Sequence, residues 1–157
     1  MSSKLKQAFK KPIDQKDLKR VIYQTFFIAI VMGLLVGSIR TLIYFQTKYD
    51  FTWLLLFVSL YYISKRIKEA HFQSHILYQI LAIFSFILTF YLSGVITNIG
   101  FYYVVSGNIP SYIVDFLNPI TYFQFLNPFI TSFYKINNII DVVFFLICNY
   151  YVFKRSE

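Results

Sequence analysis

The chain has 157 residues, of which 57% are hydrophobic, 22% aromatic and only 14% charged. Soluble domains carry about 25% charged residues, so this balance points into a bilayer, and the length allows one domain. The 19 Phe and 14 Tyr exclude a disordered chain, and a single cysteine, Cys148, excludes a disulfide framework or a cysteine-built metal site. The net charge of +8 raises the question of nucleic acid. The basic residues flank apolar stretches with no domain behind them, so no nucleic-acid partner is expected.

Residues 1–20 hold seven of the fifteen basic residues and no apolar stretch precedes them, so they do not read as a cleavable signal peptide. They read as a basic segment lying at a membrane surface. Pro12 breaks any long helix there, and Asp14 is a candidate helix start before Gln15. A first span is predicted over 21–45. Its stretch from Val21 to Ile39 has 19 uncharged residues, long enough to cross a hydrocarbon core of about 30 Å. Arg40 interrupts it near its far end.

A second span is predicted over 49–64. Its uncharged core, Phe51 to Ile63, has only 13 residues and crosses if Tyr49 and Trp53 mark one interface and Tyr61, Tyr62, Lys65 and Arg66 the other. The alternative is a re-entrant hairpin. The third apolar stretch, Ile76 to Val105, has 30 uncharged residues. As a helix it is about 45 Å long and must tilt, protrude or break. A break or end is expected at Gly94, Asn98 or Gly100, which gives a span of 76–100. A fourth span, 136–153, carries Asp141 and closes on Lys154 and Arg155.

Basic residues favour the cytoplasmic side. With four crossings and both termini cytoplasmic, twelve of the fifteen basic residues fall inside, leaving Arg40, Lys48 and Lys135 on the outer side. The fold class is therefore an all-α, polytopic membrane protein of the cell membrane: four transmembrane helices, cytoplasmic termini and short outer re-entrant or interfacial helices.

Those outer helices are expected in 106–135, where Phe-Leu-Asn-Pro occurs twice, at 116–119 and 125–128. Asn caps free backbone N–H groups, and Pro at the first helical position has no N–H to satisfy. Asn118–Pro119 and Asn127–Pro128 therefore each predict entry into a short helix, and the apolar residues after each must rest in the interface or dip between the spans.

Arg40 and Asp141 are the two charges set inside spans. Such charges are costly and mark function by default. Their depths below the outer ends match, which predicts a pair across spans one and four, with Asp50 a competing partner for Arg40. Gly33 and Gly37 form a small-residue face on span one, which permits close helix packing within the chain or, second, a dimer seam. His71 and His75 read as an interfacial loop pair; two ligands are too few for a metal. There is no catalytic constellation, so neither an enzyme nor a cofactor is expected, and span Ser and Thr are expected to bond to backbone carbonyls.

From residue 116 onward the chain resembles ABC-2 type permeases, the membrane subunits of many ABC exporters. Asn118-Pro119-Ile120-Thr121-Tyr122-Phe123 is similar to a segment those proteins place outside, and Phe153-Lys154-Arg155-Ser156-Glu157 to their basic end. That family normally has six spans where four are read here, so the resemblance implies a reduced relative or an accessory subunit. It also implies a cytoplasmic ATPase partner docking on 65–75, with Lys65, Arg66 and Lys68, and on the basic N-terminal segment. The expected function is a small non-enzymatic membrane subunit associated with transport, embedded in lipid and working as a homo-oligomer or with a protein partner. The alternative is a membrane binding, immunity or regulatory protein whose outer aromatic segment contacts another molecule.

Overall fold

The computed structural model describes residues 13–110 and 112–157. The expected break at Pro12 and the rest of the basic segment before Ile13 lie outside the described residues. Four long helices are present: α1 (Gln15–Thr47), α2 (Thr52–Glu69), α3 (Ile76–Ser106) and, after the loop segment, α6 (Ile136–Arg155). Between α3 and α6 lie two short helices, α4 (Ile113–Phe116) and α5 (Pro119–Phe123), and two 3₁₀ turns, Gln124–Leu126 and Thr131–Tyr134. The described residues are helical, with no strand among them. Three helices, α1, α3 and α6, are long and apolar enough to cross a membrane. The fourth, α2, has 18 residues and carries Lys65, Arg66, Lys68 and Glu69 in its last turns. Those charges leave too short an apolar stretch for it to join the other three on length and composition.

Local chemistry explains the boundaries. Asp14 caps α1 by accepting from the Lys16 backbone N–H at 2.8 Å. The helix ends on Lys48 in the left-handed region (φ 64°). Asp50 then accepts from the Thr52 N–H at 2.9 Å and so closes the turn that launches α2. His75 caps α3 through Nδ1, which accepts from the Leu77 N–H at 3.1 Å.

The helix α3 runs unbroken through Gly94, Asn98 and Gly100 to Ser106, which corrects the break expected there. The glycines are sites of close approach instead. A methyl at Gly94 would stand 2.5 Å from the Tyr122 ring, and one at Gly100 would stand 2.8 Å from Thr41 Oγ1. The 31 residues of α3 give about 46 Å of helix.

Helices α1 and α3 run parallel in a constant register. Thr25 meets Ser85, Gly33 meets Leu92, Gly37 meets Ile96 and Thr41 meets Gly100. Small residues allow this approach. A methyl at Gly33 would lie 2.6 Å from Leu92 Cβ, and one at Gly37 would lie 2.7 Å from Ile96 Cβ and 2.8 Å from the Ser93 carbonyl oxygen. The facing stripe on α3 is Ser85, Thr89, Ser93 and Thr97, all buried. Their hydroxyls bond backbone carbonyls: Thr89 to Ser85 at 2.9 Å and Thr97 to Ser93 at 2.7 Å, while Ser85 crosses to Thr25 at 3.0 Å.

The chain alternates direction from helix to helix. At one end, the Phe72 N–H after α2 donates to Asp17 in the first turn of α1 at 2.9 Å, and His71 Nε2 lies 3.3 Å from the Ser156 carbonyl after α6. At the other end, Arg40 of α1 meets Asp50 just before α2. Helix α2 therefore runs antiparallel to α1, from beside Arg40 to beside Asp17. The first end gathers Lys16, Lys19, Arg20, Lys65, Arg66, Lys68, Lys154 and Arg155; we call it the basic end, and the opposite one the loop end. The outward faces of α1 (Phe26, Ile30, Leu34) and α6 (Ile139, Val143, Leu146) are exposed and apolar.

Candidate functional site

The loop segment does not lie as a cover over the bundle. It folds back along α3. Asn118 accepts from the Ile120 N–H at 3.0 Å and Pro119 opens α5, so the first Phe-Leu-Asn-Pro starts a helix. Asn127 likewise accepts from the Phe129 N–H at 3.0 Å. Beyond it the chain makes a turn and then the short 3₁₀ helix Thr131–Tyr134, which starts three residues after Pro128.

Helix α5 drives Tyr122 against Gly94. Its hydroxyl accepts from Asn98 Nδ2 at 3.0 Å and donates to the Phe116 carbonyl at 2.8 Å. Tyr91 donates to the Leu117 carbonyl at 2.6 Å. Gly94 lies twelve residues before Ser106, so the segment reaches back about 18 Å along α3. Phe123 and Phe125 continue inward and meet Phe90 at 5.6 and 5.7 Å between ring centroids. Phe145 of α6 completes this aromatic floor, 5.5 Å from Phe90.

Above the floor is a cavity of about 490 Å³. Its walls include Arg40, Asp50, Trp53, Asn98, Tyr122 and Asp141, contributed by all four long helices, the α1–α2 turn and α5. The predicted pair of Arg40 with Asp141 is not formed. Arg40 makes a two-pronged bond with Asp50, Nε to Oδ1 at 3.2 Å and Nη2 to Oδ2 at 2.7 Å. Asp141 instead accepts from the indole N–H of Trp53 at 2.7 Å and has no ion-pair partner among the described residues. The physical reason is local: the short turn after α1 places Asp50 beside Arg40 before any distant helix can compete. Arg40 and Asp141 are brought to one cavity all the same, on separate partners.

Burial pushes the Asp50 carboxyl upward. The hydrogen bonds from the Thr52 hydroxyl and the Arg40 guanidinium, with the Arg40 charge and the Thr52 N–H, outweigh that and hold it below its ordinary value. Trp53 is fixed on both faces, with Phe90 at 5.9 Å and Phe144 at 5.5 Å in near-parallel stacks.

Gly33 and Gly37 lie in the α1–α3 seam and do not line this cavity. Lys65 and Lys68 stand at the basic end beside Arg155, whose guanidinium sits over Tyr61 at 4.7 Å, while Arg66 is exposed nearby. His71 and His75 pack their rings on Tyr78 at 4.9 and 5.8 Å; among the described residues no group of His, Cys, Asp and Glu is arranged to hold a metal ion. Sequence reasoning missed Trp53 as the partner of Asp141, and missed Tyr122, Phe123 and Phe125 as cavity wall and floor. The only available signal was the density of aromatics around the Asn-Pro pairs.

Comparison of the chain with family models, curated proteins and solved structures finds no match.

Proposed function

We propose that this chain is a small, non-enzymatic membrane subunit that holds a small polar solute in its loop-end cavity, in a binding or transport-associated role. The observation that carries the reading is the cavity itself. A guanidinium and two carboxylates converge there in a bundle whose outward faces are apolar. Charges at membrane depth are expensive, and where they line a cavity they mark a path or site for solute. Its volume falls within the range of small-molecule sites, about 300–1,000 Å³.

In this reading all four long helices cross. The 18 residues of α2 give about 27 Å of helix, close to a hydrocarbon core, with its terminal Lys and Arg side chains reaching the interface. The antiparallel order supports both termini on one side, and the concentration of Lys and Arg at the basic end supports that side as cytoplasmic. The loop segment is then re-entrant, and its backbone at depth lines the cavity. The basic end remains the place for an ATPase or another cytoplasmic partner, as the ABC-2-like residues suggest, and a homo-oligomer is the alternative assembly. The reading as a partner-binding outer surface is weaker, because Tyr122, Phe123 and Phe125 are spent on packing inside the chain.

The test uses Trp53, the single tryptophan. Its emission in lipid nanodiscs is followed during titration with amines, amino acids, sugars and carboxylates. A saturable change with one class, lost when Gly94→Leu displaces Tyr122, is the expected result. No saturable response to any class overturns the reading.

A further inference from the structure

We infer that the cavity selects a small organic cation, an ammonium of the mono- or quaternary type, with Asp141 as its counter-charge. The inference rests on the proposed solute-binding role and names the ligand class. Three observations carry it. First, the charges lining the cavity do not balance. Arg40 is matched by Asp50 at 2.7 Å, which leaves Asp141 as the surplus carboxylate. Second, Asp141 accepts from the Trp53 indole N–H at 2.7 Å, a neutral donor that orients the carboxylate without cancelling its charge. A carboxylate has room for several donors, so one indole leaves acceptor capacity for a ligand. Third, the rings of Phe90, Tyr122 and Phe125 line the cavity, while Trp53, stacked with Phe90 and Phe144, offers its N–H edge. Ring faces attract a desolvated cation, and aromatic cages are a recurrent solution for ammonium groups.

The same features discriminate against other solutes. An anion would meet the surplus carboxylate. A neutral solute would use the aromatic walls but leave Asp141 without a counter-charge. A small, strongly hydrated metal ion would gain little from ring faces.

The experiment compares choline with its neutral isostere 3,3-dimethylbutanol, and sodium and acetate as controls, on the full chain in nanodiscs. Trp53 emission and retention of radiolabelled choline are both read. Saturable choline binding is expected, with the isostere weaker by at least about tenfold. Asp141→Asn should weaken choline by at least about tenfold and leave the isostere unchanged, while Asp141→Glu should restore part of the loss. Helical circular dichroism of each variant shows whether it is folded, and the Glu variant keeps the test valid if the Asn variant is not. Equal binding of choline and the isostere, or unchanged choline binding in Asp141→Asn, overturns the cation inference while the solute-binding reading stands. Saturation by acetate or sodium alone also overturns it. Failure of every solute class in the wider panel removes the solute-binding reading as well.

Discussion

The indole N–H of Trp53 donates to the Asp141 carboxylate at 2.7 Å, joining α2 to α6 at the wall of the loop-end cavity. This bond fixes the one carboxylate there that has no cation partner among the described residues. A hydrogen bond to a charged acceptor contributes about 1.5–3 kcal/mol. A double-mutant cycle of Trp53→Phe and Asp141→Ala, read by unfolding in mild detergent, should therefore show a coupling of about that size. Additive losses would place the two residues in separate environments.

The α1–α3 seam should be the least tolerant part of the bundle. Gly37→Ala brings a methyl to 2.7 Å from Ile96 Cβ and 2.8 Å from the Ser93 carbonyl, with backbone on one side that cannot yield cheaply. A loss of about 1–3 kcal/mol is expected, and more for Gly37→Leu. Ser38→Ala, one position on and exposed, should change stability by no more than about 0.5 kcal/mol. Thermal unfolding of the three variants in one detergent gives the comparison.

Acid should act through Asp50. Its folded form is held ionised by Thr52 and Arg40 against the upward push of burial, so its pKa is lowered relative to the unfolded chain. Its contribution to stability is therefore complete above the ordinary carboxylate value and is lost as pH falls through the folded value. Wild type should lose more stability than Asp50→Asn between about pH 6 and pH 3. Arg40→Gln should remove part of the same pH dependence. Identical acid profiles for wild type and Asp50→Asn would show that the pair contributes nothing.

Sidedness is open to cysteine labelling. Cys148 is buried, and Phe72 and Tyr49, 88% and 70% exposed, lie beyond opposite ends of α2. In a Cys148→Ser background, Phe72→Cys and Tyr49→Cys should react with an impermeant maleimide from opposite faces of sealed vesicles, Phe72→Cys from the side of the basic end. Labelling of both from one face would mean that α2 does not separate them across the membrane.

The helices are legible in the sequence because their signals are local. Uncharged runs long enough to cross, the Asp14 cap and the Asn118-Pro119 entry are each contained within a few residues. The Gly33–Gly37 face can be read from spacing. Its complement, Ser85, Thr89, Ser93 and Thr97, has the same four-residue period but reads as ordinary polar residues in an apolar span. The end expected for α3 fails because glycine breaks a helix only where nothing supports it. In a packed bundle the helix is held by its neighbours, and Gly94 and Gly100 mark where Tyr122 and Thr41 come close. The Arg40–Asp141 pairing fails for a different reason. Matching depth in two spans says nothing about rotation around each helix, whereas Asp50 reaches Arg40 through one short turn. The role of Trp53 depends on how α2 and α6 face each other, which no local pattern encodes.

Solute binding at the loop end is best tested one membrane face at a time. Vesicles holding the chain in one orientation, set by protease access to a tag at the basic end, are given choline on one side only while Trp53 emission is recorded. A saturable response is expected to choline added on the loop-end side and none from the basic-end side, with the response weakened in Asp141→Asn. A response only from the basic-end side, or none from either, would contradict a cation site at the loop end.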